Sequence, residues 1–294
     1  ARAGDESGCR RDKGGVLIYA SEDKKNWKLH RKIVPERPFG YMWECPDIFY
    51  LGGKKVLSFC PQGLEAEEER FQNIYQSGYS LMDESENPED TFREWDMGFD
   101  FYAPQTFQAD DGRRILIGWA GVPDTEETHR NLSVANGWQH CLTLPGELIW
   151  RDGKILRTPI RELEDLEWRS AELKDGRCRW GRRTVKLLLT EISGERRKIR
   201  IGKEENCLTI SCEGNRVELS FLDENGNAAR CGGGRRIRVG RTSGPVDQML
   251  ILIDSSIAEI YVNQGETVFT TRIYLDEQDR ELEVCGGKLN LEYC

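Results

Sequence analysis

Asp47-Ile48-Phe49-Tyr50-Leu51 runs into Gly52-Gly53 and leaves through Lys55-Val56-Leu57-Ser58-Phe59. Two apolar, β-prone runs around a pair of glycines form a short β-hairpin, because a tight turn needs positive φ and glycine adopts it without a steric penalty. The same grammar returns twice. Gln105-Thr106-Phe107 turns at Asp110-Asp111-Gly112 into Arg114-Ile115-Leu116-Ile117-Gly118-Trp119, and Glu147-Leu148-Ile149-Trp150 turns at Asp152-Gly153 into Lys154-Ile155-Leu156. Hairpins recurring at intervals of roughly 40 to 60 residues, with strand-like runs between them, are what propeller blades produce. A β-sandwich with long loops is the other reading. Further strands are expected at Val16-Leu17-Ile18-Tyr19 and from Asn73 to Leu81.

Downstream, Thr158 can cap a short helix, Pro159 suits its first position, and Ile160, Leu163 and Leu166 mark one face. Seven of the eight Trp lie at or before Trp168, so composition changes here. Strands then follow at Val185–Leu189, Leu208–Ser211, Val217–Phe221, Met249–Ile253, Ile257–Val262 and Val268–Tyr274. Short strands separated by turn signals read as a β-sandwich. The expected organisation is all-β: a partial propeller over residues 1–157, a helical linker over 158–170 and a sandwich over 171–294.

The 294 residues are 38% hydrophobic and 32% charged, with a formal net charge of -9. No run approaches the roughly 20 apolar residues a spanning helix needs, so no membrane partner is expected. The acidic balance argues against a nucleic-acid partner, whose phosphates want basic surface. Arg196-Arg197-Lys198 and Arg235-Arg236 read as solvated strand edges or turns, and Gly232-Gly233-Gly234 as a flexible turn. The ten cysteines are scattered without a C-x-x-C, which suits reduced thiols in a cytoplasmic protein. The three His (His30, His129 and His140) lack metal-ligand spacing to a Cys pair, so no metal and no cofactor is expected. No signal-peptide pattern opens the chain, and Ala1-Arg2 in place of an initiator Met suggests a processed product or a fragment.

No phosphate-cradling glycine loop opens a helix, and no serine nucleophile elbow is present. What remains is carboxylates beside aromatics, the combination used in glycoside hydrolysis: one acid protonates the leaving oxygen, and a second carboxylate attacks or activates water. Trp43-Glu44-Cys45-Pro46-Asp47, Asp100-Phe101-Tyr102-Ala103-Pro104-Gln105 and Ile117-Gly118-Trp119 qualify. Pro46 weakens a strand ladder, which places Glu44 where the chain enters a strand from its rim. Met42 and Trp43 would desolvate Glu44 and raise its pKa, as a general acid needs. The plain alternative is a glutamate on a loop.

Met42-Trp43-Glu44-Cys45-Pro46-Asp47 resembles the acid/base motif of glycoside hydrolase family 32, the β-fructofuranosidases, which include invertases and bacterial sucrose-6-phosphate hydrolases. Other segments follow in family order: Gly15–Trp27, Pro61-Gln62-Gly63 with Tyr75–Tyr79, Phe99–Phe107, Arg113–Trp119, and Gly137-Trp138 with Leu142–Pro145. Asp254–Asn263 and Thr271–Tyr274 resemble the family's sandwich hallmark. The resemblance implies a five-bladed propeller with a C-terminal sandwich and a reaction that retains configuration. It makes Glu44 the catalytic acid/base and places Tyr102, Trp119, Asp100 and Trp43 on the substrate side. For Asp100 a structural hydrogen bond is the stronger alternative, and for Tyr102 and Trp119 packing is the alternative.

Two family motifs are absent. The Trp-Met-Asn-Asp-Pro-type segment that supplies the nucleophilic Asp does not occur, nor does the Arg-Asp-Pro segment; Arg11-Asp12-Lys13 lacks the proline. Cys60 stands where serine is usual, and Gly146 where a basic residue is usual. The nearest other carboxylates are Asp47 and Asp100, and strict alternation points Asp47 away from Glu44. The first reading is therefore an N-terminally truncated β-fructofuranosidase acting on sucrose or sucrose 6-phosphate, inactive alone. Such a chain would self-associate or need a missing N-terminal fragment, because its first sheet lacks a neighbour. A non-catalytic carbohydrate-binding or interaction protein is the second reading. A relative acting on arabinofuranosides or transferring fructosyl units is the third.

Overall fold

The computed structural model describes residues 13–85, 87–121, 130–171, 174–181, 184–192, 197–285 and 288–293. Cys9, Arg11-Asp12, His129 and Arg196 lie outside them. The fold is all-β, a partial propeller followed by a sandwich. By packing, the chain forms two compact units: Ala1–Trp95 with Tyr102–Thr106, and Asp96–Phe101 with Phe107–Cys294. The division does not fall at residues 158–170.

In the first unit, β1 (Val16–Ala20) pairs antiparallel with β2 (Lys28–Ile33) as a two-stranded sheet. Asp23 fixes the connection: its Oδ1 accepts from the Lys25 and Asn26 amides at 2.8 and 2.7 Å, an Asx turn that substitutes a side chain for a backbone acceptor. Tyr19, Trp27 and Leu29 are exposed by 49%, 58% and 46%. Then β3 (Met42–Leu51), β4 (Lys54–Gln62), β5 (Gly78–Leu81) and β6 (Arg93–Glu94) form an antiparallel meander. The Gly52-Gly53 turn between β3 and β4 has φ of 58° and 79°, as its sequence anticipates. The strand expected from Asn73 shortens to β5. Gln76 folds its side chain onto the Asn73 carbonyl at 2.6 Å, and Tyr75 makes only a single bridge to Gln62.

One face of the β3–β4 pair builds the unit's core. Trp43, Leu57 and Phe59 pack with Phe39, Phe71 and Phe92. The Trp43 and Phe59 rings lie 4.3 Å apart, and Phe39 meets Phe92 edge-on at 5.1 Å. Fully burying each such side chain is worth about 1.5–3 kcal/mol.

The β3–β4 register carries an extra residue. Glu44 pairs with Cys60, and the next pair is Asp47 with Ser58, so three steps along β3 match two along β4. Cys45 takes up the excess with φ 48°, beside Pro46, which has no N–H to contribute to the ladder. Directly opposed residues share a face. Glu44 and Asp47 therefore lie on the same side, where strict alternation would have separated them.

In the second unit, β7 (Phe101–Gln108) begins, although its residues 102–106 pack with the first unit. β8 (Arg114–Ala120), β9 (Gly146–Arg151) and β10 (Lys154–Pro159) are antiparallel neighbours, matching the hairpin sequences. Thr158 and Pro159 do not start a helix. They pair with Glu147 and Gly146 at the end of β10, and a 3-10 turn follows over Arg161–Asp165.

The sandwich has two six-stranded antiparallel sheets. In spatial order one holds Arg169–Ala171, Lys288–Tyr293, Thr184–Thr190, Met249–Asp254, Ile257–Val262 and Thr267–Arg272; the other holds Arg177–Arg179, Glu281–Cys285, Arg197–Lys203, Asn206–Glu213, Arg216–Ser220 and Ile237–Arg241. Strand 184–190 buries Val185, Leu187 and Leu189 alternately, and these meet Ile199, Ile201, Leu208 and Ile210 in the shared core. Three expectations about basic and glycine-rich stretches need correction. Arg197–Lys203 is an interior strand, paired on both sides, and not an edge. Arg235 is 0% exposed. Gly233 is a fixed left-handed cap at φ 56°, where a Cβ would come within 2.2 Å of the Arg130 carbonyl, so this turn is packed, not loose.

Candidate active site

Glu44 reaches off β3 on the face opposite Trp43. Gln62, on β4, shares that face, because its cross-strand partner Met42 sits two residues before Glu44. Gln62 Nε2 donates to Glu44 Oε2 at 2.8 Å and to the Tyr102 hydroxyl at 3.2 Å. The Tyr102 hydroxyl donates to the same Glu44 oxygen at 3.1 Å. The carboxylate is thus half-buried and held on one oxygen by two neutral donors; Oε1 has no hydrogen bond among the described residues. Burial pushes the Tyr102 phenol up, which keeps it a proton-bearing donor. Its ring lies 5.9 Å from Tyr75. Tyr41 is likewise pushed up, first by burial and then by Tyr75 and Glu44.

The backbone beside both side chains is unusual. Cys45, just after Glu44, and Ala103, just after Tyr102, both have φ 48°. Left-handed conformations of residues other than glycine cost energy and gather at functional positions. Asp47 lies on Glu44's face but is engaged elsewhere: its Oδ2 accepts from the Thr106 amide at 3.1 Å and the Thr106 hydroxyl at 2.5 Å.

The remaining sequence-chosen residues have other surroundings. Trp43 is 0% exposed and donates its indole N–H to the Phe39 carbonyl at 2.6 Å. A side chain with no accessible surface offers nothing to a sugar, and from the opposite face it cannot wall in Glu44. Trp43 is a core residue. Asp100, in the second unit, is also 0% exposed. Arg235 grips it with Nε at 2.7 Å and Nη2 at 2.6 Å, and the Arg272 amide adds a third bond at 2.8 Å. Trp119 belongs to the second unit as well, half-buried on β8, with His140 edge-on at 4.8 Å. Sequence reasoning quoted Gln62 without giving it a role; only the bulged register pairs it with Met42, and no local signal in the sequence gives that register. That unit also holds a cavity of about 560 Å³ lined by Trp138, Arg230, Tyr274 and their neighbours, none of them chosen from sequence.

Among the described residues, no group of three His, Cys, Asp or Glu could hold a metal ion, and no helix is long and apolar enough to cross a membrane. Residues 6–159 match the N-terminal domain of glycosyl hydrolases family 32, and residues 220–291 match the C-terminal domain of the same family. The sucrose-6-phosphate hydrolase of Staphylococcus xylosus is 37% identical over 283 residues, covering 90% of this chain and 56% of that protein. That of Klebsiella pneumoniae is 34% identical over 282 residues, covering 89% and 55%. The chain spans about half the length of these curated relatives. Among solved structures, a Bombyx mori GH32 beta-fructofuranosidase superposes with a TM-score of 0.78 at 28% identity, covering 97% of this chain and 61% of that one. The sucrose-6-phosphate hydrolase from Lactobacillus gasseri, at 23% identity and a TM-score of 0.76, covers 95% and 60% and shares the fold.

Proposed function

The chain belongs to glycosyl hydrolases family 32, and on that footing we propose that Glu44 is the proton donor and acceptor of a retaining β-fructofuranosidase acting on sucrose or sucrose 6-phosphate. The observation that carries this reading is the Glu44 carboxylate, half-buried and held on one oxygen by Tyr102 and Gln62. A fixed carboxyl with its second oxygen unengaged can hand a proton to the glycosidic oxygen and later take one from water. Neutral donors suit this role, because a guanidinium in the same place would bind the anion too strongly for it to pick the proton back up.

Retention needs a second carboxylate, roughly 5–5.5 Å from the first, as nucleophile. The candidates inside this sequence are occupied: Asp47 by Thr106 and Asp100 by Arg235. We infer that the nucleophile comes from an Asp-bearing segment of the family type, which this sequence does not contain, and that the chain alone is an incomplete enzyme. Trp119 remains a candidate contact to the sugar or its leaving group.

The test is fructose release from sucrose and sucrose 6-phosphate, by the chain alone and with a supplied N-terminal segment bearing the Asp motif. The expected result is background release alone, restoration on addition, and a loss of about 10²–10⁴-fold on Glu44→Gln. Unchanged release by the restored Glu44→Gln protein overturns the assignment. The lack of a nucleophile segment also favours a second reading, a carbohydrate-binding protein. Fructoside binding by the chain, with no release under any addition, is its signature.

A further inference from the structure

The β3 bulge brings two sulfurs together. Cys60 is the residue paired with Glu44, and Cys45 is the extra residue that follows Glu44. Cys45 and Pro46 together stand against Phe59, which leaves Cys45 diagonal to Cys60, and the two thiols lie close enough to perturb each other's ionisation. Both are free thiols. Neighbouring strands stand about 4.7–4.9 Å apart, and a disulfide spans Cα atoms about 4.4–6.8 Å apart.

The two thiols differ. Cys60 is wholly buried, hydrogen-bonded to the Ser77 hydroxyl at 3.4 Å, and pushed up by burial. Cys45 is partly exposed, and the Cys60 thiol beside it lowers it to about 7. One sulfur is therefore reachable and a thiolate near neutrality, while the other waits behind it as a thiol. By contrast, burial pushes Cys178, Cys212 and Cys231 up, which holds them in the unreactive protonated form.

We propose that Cys45 and Cys60 are a peroxide-oxidisable thiol pair whose disulfide closes directly beside Glu44. The Cys45 thiolate attacks one oxygen of hydrogen peroxide; the O–O bond breaks, and the departing hydroxide takes a proton from solvent. Cys45 is left as a sulfenic acid. The Cys60 sulfur then displaces the sulfenic hydroxyl, which leaves as water with the Cys60 proton. Two thiols lose two electrons, and one peroxide becomes two waters. Where Glu44 is the proton donor, a covalent bond across its bulge fixes the backbone on which that carboxylate sits; this consequence rests on the proposed function, and the sulfur chemistry does not.

The experiment treats the chain with a modest excess of hydrogen peroxide at neutral pH, then maps unreduced peptides by mass spectrometry. The expected product is a Cys45–Cys60 linked peptide, with two thiols lost per chain and regained with dithiothreitol. Cys60→Ser should give no link, and dimedone should trap a sulfenic acid at Cys45 instead. Full alkylation of both cysteines after treatment overturns the proposal, as does a Cys45 that proceeds to sulfinic acid in the unsubstituted chain without linking. Because the map reads sulfur and not fructose release, its outcome is independent of the Glu44 assignment.

Discussion

Glu44 and Asp100 are both carboxylates set beside aromatic residues, and the protein treats them in opposite ways. Asp100 is sealed from water, gripped by the Arg235 fork and capped by a backbone amide. Glu44 is half-buried and meets only an amide and a phenol, both on one oxygen. A carboxylate locked by a buried guanidinium and a backbone amide is part of the packing, and its removal should fall on folding. On the proposed function, a carboxylate steadied by neutral donors faces the substrate, and its removal should fall on reaction. Position in a motif does not separate the two settings; the charge and number of the partners do.

The hardest test removes the guanidinium. Arg235→Met leaves the Asp100 charge buried and uncompensated, with an expected loss of about 3–5 kcal/mol in urea unfolding. Adding Asp100→Leu to it should recover most of that loss. A single-variant cost under about 1 kcal/mol would break the contrast from the structural side. Next comes Trp43→Ala, expected to cost about 3–5 kcal/mol by leaving a cavity beneath Phe59; a loss of sugar affinity at unchanged stability would return Trp43 to the ligand side. Glu44→Gln should shift stability by no more than about 0.5–1 kcal/mol, because the amide oxygen can still accept from Tyr102. A larger loss would make Glu44 a second Asp100.

The smallest effect is read by pH. Alkylation of Cys45 by iodoacetamide should rise with pH and level off above about 7, since the thiolate is the nucleophile and its population saturates past its pKa. Cys60→Ala should move that midpoint upward, because the Cys60 thiol is the largest cause of the lowering and alanine has no proton to donate. Cys141, pushed up by burial, should react slowly across the same range. A Cys45 profile like that of Cys141 would remove the asymmetry between the two sulfurs.

Much of the fold was legible because hairpins announce themselves locally. The turns at Gly52-Gly53 and Asp152-Gly153 lie where their residues place them, and strand 184–190 alternates as its side chains do. Arg197–Lys203 was misread because a basic run looks solvated until the strand partners on both sides are known. Arg235 was misread because its partner Asp100 is 135 residues away, and no local rule joins them. Motif context singles out Glu44 and Tyr102, and the structure hydrogen-bonds them to each other. Gln62 needed the register, and the shared face of Glu44 and Asp47 needed the bulge. Thr158-Pro159 shows the converse: local helix signals yielded to pairing with β9.

The bulge also gives β3 a parity. A strand read two residues at a time behaves like a reading frame, and the surplus residue at Cys45-Pro46 shifts that frame once. Deleting one of the two residues should cancel that shift and leave the rest of the strand in frame: Glu44 and Asp47, then two apart, would keep one side by plain alternation, and Phe49, now 3% exposed, would stay where it is. Deleting both would leave Glu44 and Asp47 adjacent and swing Asp47 and Phe49 together to the side of Trp43. Counting in this segment therefore works in pairs with its partner strand: the loss of one residue is absorbed where the loss of two is not.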